Sequence, residues 1–259
     1  MILSRIIEEK KKAIEQAKST LSLDEIAKKL EGSAQRHRRF TKEISKEHHI
    51  NLIAEVKKAS PSRGVLRKDF DPVKIACAYQ MSGASALSIL TEEKFFLGKL
   101  EHIKKVKEVS DLPILRKDFI IDPYQIYESA FYGAEAVLLI ADILSEEELR
   151  SLYSLSRKVG LDAVVEIHNE EDLKKALLVD AKVIGINNRD LHSFNVDLGL
   201  TTRLIKAIPE GKIIVSESGI KSHEDVMFLK SIGVAAVLIG EAFMTAPDIG
   251  TKVRELMGT

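Results

Sequence analysis

The sequence predicts an α/β protein, a (β/α)8 (TIM) barrel with an N-terminal helical extension. Three observations carry this. From residue 51 onward, short β-branched runs alternate with amphipathic helical patterns; there are eight such pairs; and polar residues arrive late in the strands. Strands that alternate with helices pair in parallel through right-handed crossovers. Eight units in ~250 residues suit a closed barrel. An open doubly wound sheet is the competitor, but it has fewer strands and a Gly-rich G-x-G-x-x-G turn, and no such turn occurs among the 259 residues.

Residues 1–50 make the extension. Ile2, Ile6, Ile7, Ala13, Ile14 and Ala17 fit one face of a helix. "SLDE" (22–25) reads as a capping box, in which Ser22 accepts from a backbone N–H and Glu25 reaches back. A short helix follows, and Gly32 is placed to end it. Residues 51–259 make the barrel. Its strands are expected at 52–56, 85–90, 113–119, 136–140, 162–167, 182–187, 212–218 and 235–240. Helices are expected at 72–82, 99–109, 123–132, 145–158, 169–178, 198–207, 222–231 and 248–257. "LRKDF" occurs at 66–70 and at 115–119, but at different points of their βα units, so the match does not indicate a duplication.

Composition narrows the function classes. Lys plus Arg and Asp plus Glu each number 39. Balanced charge gives no electrostatic reason to expect nucleic acid or a membrane surface as partner. The basic run "QRHRRF" (35–40) is short and suits a solvated face or a contact to a substrate anion. The one cysteine, Cys77, lies in an apolar helical pattern and is expected to be a reduced core residue. No disulfide framework exists, which fits a reducing cytoplasm. The N-terminus lacks the features of a signal peptide, and no run reaches the ~18 apolar residues of a membrane span. A cytoplasmic protein without an obligate protein partner is expected.

Parity sorts the unusual residues. Along a barrel strand, side chains alternate between the interior and the helix layer. Ile53, Glu55 and Lys57 share a face; so do Leu115, Lys117 and Phe119; Val164 and Glu166; Val183, Gly185, Asn187 and Arg189; and Ile213, Val215 and Glu217. Five strands thus aim Glu55, Lys57, Lys117, Glu166, Asn187, Arg189 and Glu217 at one mouth, the C-terminal face where barrels hold their active sites. A structural ion-pair network is the plainer reading, but buried ion pairs are an inefficient route to stability. Convergence from five strands favours function.

Two lysines among carboxylates suit general acid–base chemistry on a small anionic substrate. Nearby carboxylates favour charged lysines, which suits an acid more than an imine-forming amine. Metal chemistry is not expected: His48 and His49 are adjacent, and no HExxH or Cys/His spacing occurs. His168 reads as a loop histidine. "SESGI" (216–220) and "LIGEAFM" (238–244) each bring a Gly and then a helical start to the mouth. Loops after strands 7 and 8 are the usual barrel phosphate site. The "SPSRG" loop (60–64) suits either a lid or an ordinary βα connection.

These residues carry a resemblance. "IAEVKKASPSRG", "LTEEKFF", "LRKDFIIDPYQI", "AVLLIA", "VVEIH", "IGINNRDL", "SESGI" and "VLIGEAFM" occur in order over residues 51–244. The chain resembles the indole-3-glycerol phosphate synthases of tryptophan biosynthesis, and the helical N-terminus resembles theirs too. The resemblance implies a phosphorylated substrate, 1-(2-carboxyphenylamino)-1-deoxyribulose 5-phosphate, converted to indole-3-glycerol phosphate, carbon dioxide and water without cofactor or metal. It implies Lys117 as general acid for ring closure and Glu166 as acid/base for dehydration. Lys57 would hold the substrate anion and share acid duty; Glu55 and Asn187 would position the reacting groups. Ser60, Pro61, Phe96, Phe119, Leu138 and Leu191 would line the aromatic end, with Arg189 and Glu217 orienting. Ser218, Gly219, Gly240 and Glu241 would bind phosphate, chiefly through backbone N–H groups. Some members carry a small residue where Glu241 stands. Rival readings are phosphoribosylanthranilate isomerase, which lacks a placed Cys/Asp pair here, a Schiff-base aldolase, and a non-catalytic binding barrel.

Overall fold

The computed structural model describes residues 2–30, 39–47, 49–191 and 193–259. Eight parallel strands close into a barrel: β1 (Asn51–Val56), β2 (Ala86–Leu90), β3 (Ile114–Lys117), β4 (Ala136–Ile140), β5 (Asp162–Ile167), β6 (Val183–Asn187), β7 (Ile213–Glu217) and β8 (Ala236–Ile239). Each pairs with its sequence neighbours, and β8 returns to β1. The register sets Leu90 beside Lys117, Ile140 beside Glu166, Glu166 beside Gly185, and Asn187 beside Glu217. Late polar residues on separate strands are therefore brought to one level.

The core has two layers, as alternation requires. Ile53, Leu115, Leu138, Val164, Val183, Val215 and Leu238 fill the barrel interior. Leu52, Ala54, Val56, Leu87, Ile89, Val137, Val165 and Ile184 face outward into the helix layer. The surrounding helices are α4 (Pro72–Met81), α5 (Glu101–Lys107), α6 (Pro123–Tyr132), α7 (Glu146–Lys158), α8 (Glu170–Leu178), α9 (Gly199–Leu204), α10 (His223–Ser231), the single turn α11 (Glu241–Met244) and α12 (Ile249–Met257). They are preceded by α1 (Ile2–Thr20), α2 (Leu23–Leu30) and α3 (Arg39–Glu43). Side-chain caps explain many of the starts: Asp71, Asp122, Ser145, Asn169, Ser222 and Asp248 each accept from a first-turn N–H.

The N-terminal helices touch both ends of the barrel. The capping box at the start of α2 forms: Glu25 Oε2 accepts from Ser22 N at 2.8 Å, and Ser22 Oγ accepts from Glu25 N at 3.3 Å. Phe40 of α3 and Ile44 just after it pack into the interior cluster, and Thr41 N donates to Asp162 at the start of β5. At the other end Ile6 joins the same cluster, and Lys10 reaches Asp118, just past β3. The expected helix stop at Gly32, residues 35–38 of the basic run and His48 lie outside the described residues.

Some expectations are corrected. β3 ends at Lys117, because the Asp118 carboxylate accepts from the next backbone N–H, Phe119, at 2.8 Å and turns the chain. The helix expected at 198–207 is α9 followed by a tighter turn at Ile205–Ala207; Ile208, ahead of Pro209, is extended, as a residue before proline prefers. Cys77 is half-buried rather than core, since α4 turns Ile75, Ala76 and Tyr79 inward. The two "LRKDF" copies serve different ends. Arg67 donates to the carbonyls of Met244 and Ala246, whereas Arg116 is buried under α6. Among the described residues no helix is long and apolar enough to cross a membrane.

Candidate active site

The C-terminal mouth of the barrel opens into a cavity of about 490 Å³. Every site residue singled out in the sequence lines it. The floor is charged. Lys117 Nζ donates to Glu166 Oε2 at 2.9 Å and stands 3.5 Å from Glu217 Oε2. Asn187 Nδ2 donates to the other Glu166 oxygen at 3.2 Å, and Asn187 Oδ1 accepts from Arg189 N at 3.1 Å. Beside this group Lys57 Nζ pairs with Glu55 Oε2 at 2.5 Å. Glu55, Glu166 and Glu217 are all buried.

This crowding sets the protonation states. Burial pulls the Lys117 ammonium down, but the carboxylates of Glu166, Glu217 and Glu55 outweigh it and hold the pKa raised. Burial pushes Glu166 up, and Lys117 and His168 overcome this to leave it lowered. Glu217 goes the other way. Burial, then the charges of Glu166 and Glu55, raise it to about 8 against the pull of Lys117. The site thus holds a protonated lysine and an ionised Glu166 beside a Glu217 whose carboxyl is driven toward its neutral form. That is a donor and an acceptor side by side.

Two glycines make room for the carboxylates. A Cβ on Gly240 would stand 2.3 Å from Glu55 Oε2, and one on Gly185 would stand 2.5 Å from Glu217 Oε1. Gly185→Ala must therefore displace the Glu217 carboxylate. Because a misplacement of about 1 Å in a group that orients substrate costs up to roughly 10²-fold, turnover is expected to fall by as much as that factor. Steady-state kinetics beside a thermal melt checks this; unchanged turnover would show that Glu217 can move aside freely.

The apolar end lies across the mouth. Phe96 and Phe119 approach with ring centroids 6.2 Å apart, and Leu138 and Leu191 complete that wall. Phe96 is held by the loop after β2, where the buried Glu92 carboxylate accepts from the N–H groups of Lys94, Phe95 and Phe96. The 59–65 segment folds as a small antiparallel hairpin, Ala59–Ser60 against Gly64–Val65. Its Arg63 stands 3.6 Å from one Glu241 oxygen, while Arg189 donates to the other at 3.2 Å. After β7, Ser218 and Gly219 take consecutive left-handed conformations (φ 65° and 83°) and turn the backbone along the cavity.

Sequence reasoning missed several neighbours. Phe194, Val196, Lys221 and Arg63 also line the cavity. Asn188 is buried and donates to Ser216 Oγ and to the carbonyls of Glu217 and Ser218, pinning the turn. His168 is no free loop histidine. It stands behind Glu166, with Nε2 3.3 Å from Glu166 Oε1. Parity marks it, since 164, 166 and 168 alternate onto one face. Among the described residues no cluster of metal-ligating side chains occurs.

Comparison with known proteins identifies the family. A family model described as indole-3-glycerol phosphate synthase matches residues 3–256. The chain is 52% identical to the indole-3-glycerol phosphate synthase of Clostridium acetobutylicum over 257 residues, 99% of this chain and 97% of that protein. It is 49% identical to the protein of that name from Thermoanaerobacter pseudethanolicus, with the same coverage. Against the one from Dehalococcoides mccartyi strain CBDB1 identity is 54% over 215 residues, 82% of this chain and 83% of that protein. Among solved structures, a 3-hexulose-6-phosphate synthase superposes with TM-score 0.66 at 15% identity, covering 81% of this chain and 99% of that one. An N-acetylmannosamine-6-phosphate 2-epimerase from Clostridium perfringens gives 0.62 at 19% identity, covering 85% and 97%. At such identities these two speak for the barrel alone. With the family model spanning nearly the whole chain and relatives at about half identity along its length, the chain belongs to the indole-3-glycerol phosphate synthase family, the decarboxylating lyases of tryptophan biosynthesis.

Proposed function

We propose that this chain closes the indole ring with Lys117 as general acid and completes the dehydration with Glu166 as base. The observation that carries the reading is the Lys117 ammonium, hydrogen-bonded to Glu166 on the floor of a cavity lined by Phe96, Phe119, Leu138 and Leu191 and also by Arg63, Arg189 and Lys221. The substrate, 1-(2-carboxyphenylamino)-1-deoxyribulose 5-phosphate, is bent so that the ring carbon bearing the carboxylate meets the ribulose carbonyl carbon. The ring lies on Phe96, Phe119, Leu138 and Leu191, with Ser60 and Pro61 above. The phosphate lies against the backbone of Ser218, Gly219, Gly240 and Glu241. Fixing both ends supplies much of the rate by orientation.

As the carbon–carbon bond forms, Lys117 gives a proton to the carbonyl oxygen. Carbon dioxide then leaves with its bonding pair returned to the ring, which restores aromaticity. The new hydroxyl departs as water with a proton from the Lys57 ammonium, while Glu166 takes a proton from the adjacent carbon. With the proton Lys117 gave, two are given and one taken, which matches the one proton the decarboxylation consumes. Lys57, paired with Glu55, holds the substrate carboxylate. Asn187 fixes Glu166, and Arg189 and Glu217 orient the chain of hydroxyls. The pull of three carboxylates on Lys117 favours the ammonium over the neutral amine that an imine-forming aldolase requires.

The test is direct. Adding the carboxyphenylamino substrate to the purified chain is expected to generate indole fluorescence and release carbon dioxide. Absence of both at micromolar enzyme overturns the reading. Borohydride with a keto-phosphate is expected to leave Lys117 unmodified; a trapped adduct there would favour the aldolase instead.

A further inference from the structure

Behind Glu166, away from the cavity, lies a pair of buried groups that the reaction scheme does not use. We propose that Asp172 and His168 form a buried relay onto Glu166, in which His168 is a positioning residue that fixes the Glu166 carboxylate and keeps it ionised as the base of the dehydration. The inference rests on the reading of Glu166 given above.

The geometry is that of a ring between two carboxylates. His168 Nε2 lies 3.3 Å from Glu166 Oε1, and Nδ1 lies 3.7 Å from Asp172 Oδ2. The side chains of His168, Glu166 and Asp172 are 7%, 1% and 3% exposed. Neither ring nitrogen has another partner, and both contacts are ion-pair distances without hydrogen-bond alignment. The backbone anchors the outer carboxylate: Asp172 Oδ2 accepts from His168 N at 3.0 Å, and Asp172 N donates to the capping Asn169 side chain at 2.9 Å. His168 does not line the cavity, so it acts on substrate only through Glu166.

The charges around the pair are few and opposed. Glu166 is faced by Lys117 from β3, Asn187 from β6 and Glu217 from β7, with His168 behind it. His168 is faced by Glu166 and by Asp172 of α8. Burial pulls the imidazolium down, but the two carboxylates overcome it and raise the ring to about 10. The ring is therefore a second cation on Glu166. Lys117 gives up its proton in ring closure, and while it is neutral His168 is the cation left to hold Glu166 ionised for the next step. A dehydration base that has lost one counter-charge keeps the other.

Two measurements test this. In the unaltered chain, nitrogen-edited NMR of the His168 ring is expected to report an imidazolium across neutral pH, and Glu166→Gln to bring its titration downward. A ring titrating near the ordinary value of about 6.5 overturns the proposal whatever the kinetics show. In turnover, His168→Asn is expected to lower kcat about tenfold with KM unchanged, and to move the acid limb of the kcat–pH profile upward by about one unit. Asp172→Asn, which keeps the ring, is expected to move the limb the same way by less. A folded His168→Asn with the kcat–pH profile of the parent overturns the relay. Should that variant not fold, Asp172→Asn and the NMR titration decide. If instead Glu166→Gln itself retains turnover, the role of Glu166 falls while the charge state of His168 is still read independently.

Discussion

Lys117→Ala is expected to lower turnover by about 10²–10⁴-fold while leaving the barrel folded. The size follows from what the ammonium does. Ring closure puts negative charge on a carbonyl oxygen, and Lys117, the donor proposed for it, is held at the cavity floor by Glu166 and Glu217. Lys57 shares the cavity but is paired with Glu55 on β1, away from the Glu166–Glu217 pair that holds Lys117, so it replaces the lost donor poorly. The fold survives for a separate reason. Lys117 lies above the apolar interior layer, and the carboxylates it leaves retain support: Glu166 keeps Asn187 and His168, and Glu217 already leans to its neutral form. Steady-state kinetics and a thermal melt on the same preparation check both halves. Turnover within a few-fold of the parent would refute the acid role; loss of the cooperative melt would refute the separation of site from core.

Much of this was legible in the sequence because strand alternation is a strict geometric rule. Ile53, Leu115, Val164, Val183 and Val215 point inward as parity requires, which carries Glu55, Lys117, Glu166, Asn187 and Glu217 to the mouth. What escaped was whatever depends on contacts between distant segments. Arg116 lies on the outward face of β3, and that was a readable signal: a buried arginine demands carboxylates. Its partners Glu128 and Thr91, and the Lys10 that shares Asp118, lie on other elements and carry no mark of pairing. Gly185 carries no mark in the sequence of its role, which is to leave the space that the Glu217 carboxylate occupies. Asn188 was hidden beside the more conspicuous Asn187, and its tie to the Ser218 turn depends on the β6–β7 register.

Asp118→Ala is expected to be the most destabilising single change near the site, by about 3–5 kcal/mol, since it leaves the buried Lys10 without its carboxylate and takes one of two carboxylates from the buried Arg116. Asp118 Oδ1 lies 2.7 Å from Lys10 Nζ and Oδ2 lies 3.1 Å from Arg116 Nη2, with Thr91 Oγ1 donating to Oδ2 at 2.6 Å. Arg116 keeps Glu128 at 2.9 Å, but among the described residues Asp118 is the one carboxylate paired with Lys10. At roughly 2–4 °C per kcal/mol for a chain of this size, the melting point should drop by about 10 °C. Lys10→Met should cost much less, because it removes a charge and leaves Asp118 paired with Arg116. Acid separates this mechanism from simple loss of packing. Burial raises the Asp118 carboxyl, but Lys10 and Arg116 outweigh it and hold it at about 2. Its folded value lies below the unfolded one of about 3.9, so its contribution is full above that pH and is lost as pH falls toward about 2. The parent should therefore lose stability across that window more steeply than Asp118→Asn, which has no proton to take up there. Parallel acid profiles for the two would show that the charge on Asp118 does not fasten α1 to the end of β3. A steeper parent profile would mean that an ion pair one residue from Lys117 ties the N-terminal helix to the strand that carries the proposed acid.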